Sequence, residues 1–114
     1  SIIEGNTGKE LARTDYIELG TSEDWGDNYY KRSSSYRIAV AHCMGEHHSV
    51  IIGRGCYRKI VVETWDYNNH ALTRQWRFDT TQKGNEAYGG QGYHSLSVGD
   101  VDEDGYDEIV DDCG

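Results

Sequence analysis

Apolar positions in this chain fall into short alternating runs rather than helical stripes. Tyr36-Arg37-Ile38-Ala39-Val40-Ala41-His42 alternates in and out, and Ser49-Val50-Ile51-Ile52 is a short apolar run. Ile60-Val61-Val62-Glu63-Thr64-Trp65-Asp66-Tyr67 is rich in β-branched and aromatic residues, and Leu72-Thr73-Arg74-Gln75-Trp76-Arg77-Phe78 alternates again. Between the runs lie Met44-Gly45-Glu46, Gly53-Arg54-Gly55 and Asn68-Asn69-His70, all with turn-forming residues. The spacing predicts a four-stranded antiparallel meander over 36–79. The one stretch with any helical pattern, Lys9 to Tyr16, is too short to hold a helix alone. A segment at Glu23-Asp24-Trp25-Gly26-Asp27-Asn28 reads as a polar loop.

The chain also partly repeats itself. Ile38 to Gly45 lies on Leu96 to Glu103 at an offset of 96 minus 38, or 58 residues, and the same register puts Val50-Ile51-Ile52 on Glu108-Ile109-Val110. Both segments read as strand, turn, strand. Repeated four-stranded units at roughly this period are the mark of propeller blades. The predicted fold class is therefore all-β, with antiparallel β-propeller blades built as about two four-stranded meanders. Its organisation is one partial unit over 1–114: a loop-rich segment 1–35, a four-stranded blade 36–79, and the start of a second blade at 80–114.

The turn of the second hairpin carries the strongest chemical signal, Asp100-Val101-Asp102-Glu103-Asp104-Gly105-Tyr106-Asp107-Glu108. Carboxylates at alternate positions of a tight loop converge on one cation, the sixth-position glycine permits the sharp turn, and the seventh-position carbonyl adds an oxygen. The candidate ligands are Asp100, Asp102, Asp104, the Tyr106 carbonyl and Glu108. An EF-hand would close on a twelfth-position Glu between helices; here that position is Asp111 and the flanks are strand-like. An all-oxygen, carboxylate-rich set suits Ca²⁺ better than Zn²⁺ or Mg²⁺. Such a loop between strands, closed by Glu108, is the expected cofactor site. The equivalent turn at His42-Cys43-Met44-Gly45-Glu46 lacks the carboxylates.

Charge sharpens this picture. The formal net charge is −9, and residues 100–114 hold eight acids and no Lys or Arg. Of 20 acids, the other twelve face eleven bases, so the imbalance belongs to the tail. A deficit of basic residues argues against nucleic-acid binding, which neutralises phosphates with Lys and Arg. No stretch approaches the ~18 apolar residues of a membrane helix and no basic-then-apolar leader opens the chain, so neither a membrane nor an uncleaved signal is expected.

Three cysteines, Cys43, Cys56 and Cys113, are an odd number. Cys43 and Cys56 fall near opposite ends of a hairpin, roughly 15–20 Å apart at ~3.3 Å per residue, beyond the ~7 Å Cα reach of a disulfide. His42, His47 and His48 read as a polar turn. No nucleophile elbow, phosphate loop or paired-cysteine zinc spacing is present, and Ser33-Ser34-Ser35 reads as a loop. Arg54, between two glycines, is a candidate for contact with an anionic ligand. His94, at the entry to the strand before the acidic loop, is a weak candidate for proton transfer.

Several pieces occur in a fixed order: Asp24-Trp25-Gly26-Asp27, Gly53-Arg54-Gly55-Cys56-Tyr57, Thr64-Trp65-Asp66-Tyr67, Trp76-Arg77-Phe78-Asp79, Gly84-Asn85-Glu86-Ala87-Tyr88, His94-Ser95-Leu96-Ser97-Val98 and the acidic loop. From Gly5 to Val110 the chain resembles the rhamnogalacturonan lyases of polysaccharide lyase family 11. The resemblance implies an eight-bladed β-propeller with calcium in its blades, secretion by bacteria, and cleavage of the rhamnogalacturonan I backbone of pectin by β-elimination. Family members are several times longer, so the expectation is a fragment or reduced form of such a lyase, without the complete active site. The alternative is a non-catalytic calcium-binding module that binds carbohydrate or self-assembles, since open strand edges favour homo-oligomers and several copies would complete a ring.

Overall fold

The computed structural model describes residues 1–26, 32–90 and 95–111. Its elements run β1 (Ile2–Ile3), β2 (Glu10–Ala12), α1 (Ser22–Trp25), β3 (Tyr36–Ala41), β4 (Ser49–Arg54), β5 (Val61–Asn68), β6 (Ala71–Asp79), a 3-10 turn (Glu86–Tyr88), β7 (Leu96–Gly99) and β8 (Glu108–Asp111). All the described sheets are antiparallel: β1–β2, the meander β3–β4–β5–β6, and the hairpin β7–β8. The four predicted strands of the meander are present, each within two residues of its expected ends. Part of the Lys9–Tyr16 stretch is strand β2. Among the described residues no helix is long and apolar enough to cross a membrane.

The central strands β4 and β5 are buried on both faces, and register decides what lies on each. Ile51 pairs with Thr64 and Gly53 with Val62, while Ile52 pairs with Glu63 and Arg54 with Val61. One face therefore gathers Ala41, Ile51 and Val62, against which Phe78, Leu96, Val98 and Ile109 pack. The opposite face gathers Ile52 and Val61 with Ile17 and Trp25 from the N-terminal segment. Burying each of these aliphatic side chains contributes about 1.5–3 kcal/mol. The sheet is thus covered by β7–β8 on one side and by residues 1–26 on the other. On the face of Ile52 and Val61 the cover is partial: Ile38 and Val40 on β3 remain 72 % and 61 % exposed.

A bulge corrects the simple alternation of β6. Thr64 pairs with Trp76 but Trp65 pairs with Arg74, so Gln75 is the extra residue. Arg74 is thereby turned to the face opposite Trp76, where it reaches Glu63 at 3.1 Å. Glu63 is only 2 % exposed and also accepts from Arg77 at 3.0 Å and the Trp65 indole at 3.1 Å. Arg77 continues to Glu18 at 2.8 Å and Asp79 at 3.2 Å, and Lys59 lies 3.8 Å from both Asp79 and Asp24. A carboxylate as buried as Glu63 is tolerable because each charge is met by another. Burial pushes the Asp79 carboxyl up, but donors from Thr81 and Arg77 and the Lys59 charge outweigh it and hold the pKa below its usual range.

Two further expectations are revised. Residues 22–25 form a helical turn rather than a polar loop, because Trp25 is fully buried (0 % exposed) and draws the turn into the core, while Asp24 pairs with Lys59; Asp27 and Asn28 lie outside the described residues. The second hairpin is also not a strict copy of the first. Ala41 pairs with Ser49 across seven loop residues, whereas Gly99 pairs with Glu108 across eight, so the strand after the acidic loop slips by one from the 58-residue offset. The extra residue lies in the loop that carries the carboxylates.

Gly55 shows how closely the N-terminal cover is seated. Its φ is +99°, and a Cβ there would fall 2.1 Å from the Lys59 carbonyl oxygen and 2.4 Å from the Trp25 ring. Gly55→Ala is expected to destabilise the fold by about 3 kcal/mol in a denaturant titration, since overpacking and a left-handed backbone add. Gly5→Ala, where nothing lies within 4 Å, should change stability by less than ~0.5 kcal/mol.

Candidate metal centre

The acidic loop leaves β7 at Gly99 and enters β8 at Glu108, so the closing carboxylate sits at the mouth of the hairpin opposite the strand end. Carboxylate oxygens of Asp100, Asp102, Asp104 and Glu108 all lie within 4.8 Å of one another. Oxygens on opposite sides of a calcium ion, each bonded at about 2.4 Å, stand about 4.8 Å apart. Backbone amides hold this arrangement. Asp100 accepts from the N–H groups of Asp104 (3.0 Å) and Gly105 (2.8 Å), Asp102 from Asp104 (3.1 Å), Asp104 from Tyr106 (2.8 Å) and Glu108 from Val101 (2.8 Å). Gly105 takes φ +93°, the left-handed turn expected of it, and Glu103 shares that region at +62°.

Within the loop, the surroundings of Asp102 disfavour its charged form. Partial desolvation, followed by the neighbouring charges of Asp104 and Glu108, pushes the Asp102 carboxyl above its usual pKa. The donor set is wholly oxygen, which suits a hard divalent cation such as Ca²⁺ rather than a soft one. Asp100, Asp102, Asp104 and Glu108 could hold it through their side chains, and Tyr106 through its carbonyl. The phenol of Tyr106 turns away from that role: its ring packs 5.3 Å from the His42 ring at 57°.

Asp107 is the residue that sequence reasoning missed. Its Oδ2 accepts from the His42 N–H at 2.7 Å, and its own N–H donates to the His42 carbonyl at 2.7 Å. This reciprocal pair ties the acidic loop to the turn after β3 and so joins the two hairpins. The one sequence signal was that Asp107 occupies a loop position the ion does not need. Beside it, burial and then the charges of Asp107 and Glu108 push the Cys43 thiol up and keep it protonated. Cys43 and Cys56 are both free thiols, and Cys113 lies outside the described residues.

Of the two catalytic candidates, His94 falls outside the described residues. Arg54 is 7 % exposed, and its guanidinium donates to the carbonyls of Ser33 and Ile17 and to the Tyr36 hydroxyl (3.0 Å) while lying over the Trp25 and Tyr36 rings. Its fork is occupied by the protein itself and clamps the N-terminal segment to β3 and β4. The adjacent Gly55 gives room to Trp25 and the Lys59 carbonyl.

Residues 1–113 match the family description "Rhamnogalacturonan lyase family 11, C-terminal domain". The chain belongs to this rhamnogalacturonan lyase family. It is 43 % identical over 111 residues to the rhamnogalacturonan exolyase YesX and 38 % identical over 111 residues to the rhamnogalacturonan endolyase YesW, both of Bacillus subtilis strain 168. These alignments take in 96 % of this chain but only 18 % of each relative. Among solved structures, exotype rhamnogalacturonan lyase YesX superposes with a TM-score of 0.87 at 43 % identity, over 96 % of this chain and 18 % of that one. The Bacillus licheniformis rhamnogalacturonan lyase gives 0.86 at 42 % identity, over 96 % and 19 %.

Within this C-terminal domain of the family, the His42–Asp107 pair predicts a measurable link between hairpins. Asp107→Ala removes a charged acceptor from a backbone N–H and is expected to destabilise the chain by about 1–2 kcal/mol in chemical denaturation. An unchanged midpoint would show that the Asp107 carboxylate adds nothing to the link between the hairpins.

Proposed function

We propose that this chain is the C-terminal portion of a secreted rhamnogalacturonan lyase, forming about two blades of a calcium-stabilised β-propeller. The parent enzyme would cleave the rhamnogalacturonan I backbone of pectin by β-elimination. The observation that carries this reading is the match to lyases over 96 % of the chain at 43 % identity. The propeller is supported by a sheet that is apolar on both faces, as a blade between two neighbours must be. It is supported too by an apolar groove of about 490 Å³ over β5 and β6, where Trp76, Phe78 and Tyr88 stand beside Ile109 of β8. Two further strands continuing the β7–β8 sheet would cover it.

Elimination requires a base to take the C5 proton of a galacturonate while the C4–O bond breaks, with the neighbouring carboxylate neutralised. Among the described residues, Arg54 is engaged internally, and the acidic loop would spend its carboxylates on its own ion. The role proposed for Asp100, Asp102, Asp104, Tyr106 and Glu108 is therefore structural: bound Ca²⁺ would offset two of the eight negative charges in the tail and lock the β7–β8 hairpin onto the core. The chemistry would reside in the rest of the longer protein. One observation favours a second reading for the chain on its own, that of a carbohydrate-binding or self-assembling module. Ile38 and Val40 on one face and Trp76 and Tyr88 on the other are exposed, and such faces promote association.

Thermal melts test the calcium role. Saturating Ca²⁺, at about a hundred times its Kd, should stabilise the chain by ~2.7 kcal/mol and EDTA should reverse this. Asp104→Asn should abolish the shift and, without calcium, be at least as stable as the parent, because it relieves repulsion. The same preparation mixed with rhamnogalacturonan and Ca²⁺ should give a flat ultraviolet trace for unsaturated product. Elimination by the chain alone would overturn the assignment of catalysis to the remainder of the protein.

A further inference from the structure

We propose that the cleft between the β3–β4 and β5–β6 turns is a subsite for a neutral, polyhydroxylated sugar unit. Both turns lie at the end of the sheet that also carries the acidic loop, since His42 bonds to Asp107. The cleft has a volume of about 500 Å³ and is lined by residues 46–48 and 67–70. That volume falls in the range of small-ligand sites, ~300–1,000 Å³.

Its chemistry is specific. The Tyr67 and His70 rings are stacked, 14° from parallel with centroids 6.5 Å apart, and bring two ring faces to the cleft, the kind of surface on which the C–H face of a pyranose packs. The Asn68 and Asn69 amides each combine donors with an acceptor, matching vicinal hydroxyls that also do both. Asn69 and His70 take φ of +51° and +61°. A two-residue turn of this kind favours Asn followed by Gly, so a histidine in the glycine position costs about 1 kcal/mol of backbone strain. Here the strained residue supplies one of the two rings.

Charge selects among sugars. No Lys or Arg lines the cleft, Glu46 does, and the chain as a whole carries −9. A uronate carboxylate would meet no Lys or Arg and the like charge of Glu46, whereas a neutral 6-deoxyhexose or hexose meets neither obstacle. This inference rests on the lyase-domain reading for its ligand class, but its readout is separate from the calcium-induced stabilisation that tests that reading.

The test is a ¹⁵N-correlation titration of the calcium-loaded chain with methyl α-rhamnoside, with galactobiose and with digalacturonate. Shifts confined to residues 46–48 and 67–70, saturating at concentrations up to about 50 mM for a neutral probe, are expected. The two neutral probes distinguish a deoxyhexose from a hexose. His70→Gly suits the left-handed backbone and should leave the melting temperature unchanged or raised, while weakening the neutral sugar about fivefold, the equivalent of ~1 kcal/mol of stacking. Absence of shifts with both neutral probes, shifts elsewhere on the surface, equal or tighter binding of digalacturonate, or undiminished binding by His70→Gly would each overturn the subsite, whatever calcium does to stability.

Discussion

Everything in this fold follows from β4 and β5 being apolar on both faces. With Ile51 and Val62 on one side and Ile52 and Val61 on the other, neither strand can border water over 51–54 and 61–64, so this part of the sheet must be covered twice. Residues 1–26 supply one cover and the β7–β8 hairpin the other. The fixtures that hold these covers are polar. Arg54 is pinned by carbonyls of the N-terminal segment, and Glu63, Arg77, Asp79 and Lys59 form a chain of ion pairs beneath it. Such buried pairs add less to stability than to uniqueness, because any slip in register leaves a charge unmatched.

The second cover depends on the acidic loop. A hairpin of two four-residue strands is marginal alone, and this one closes on four converging carboxylates that repel one another. Two features counter that repulsion: the lattice of backbone N–H donors within the loop, and the His42–Asp107 pair that moors it to the first hairpin. A divalent cation would add the missing charge. Family membership gives the arrangement a setting, since the chain corresponds to less than a fifth of the lyases it resembles. A domain of that kind need not contain the reacting groups, provided that it completes the scaffold around them.

Much of this was legible in the residues. Alternation marked β3 and β6, a short apolar run marked β4, a β-branched and aromatic run marked β5, and the aspartate spacing of the loop located its carboxylates together. The shortfalls have physical causes. Alternation cannot reveal the Gln75 bulge, which moves Arg74 to the other face. The segment around Trp25 looks polar in composition, yet one buried indole outweighs its acidic neighbours. Arg54 between glycines looked free to reach a ligand, when the space beside it belongs to Trp25 and the Lys59 carbonyl. Nothing local marks Asp107 as a tie, because its partner lies 65 residues earlier.

Amide hydrogen exchange with and without calcium tests the central claim most directly. Protection of β4 and β5 should be the same in both conditions, and protection of 96–99 and 108–111 should rise markedly when Ca²⁺ is present. Equal protection of the β7–β8 hairpin in calcium and in chelator would contradict a cation-locked cover.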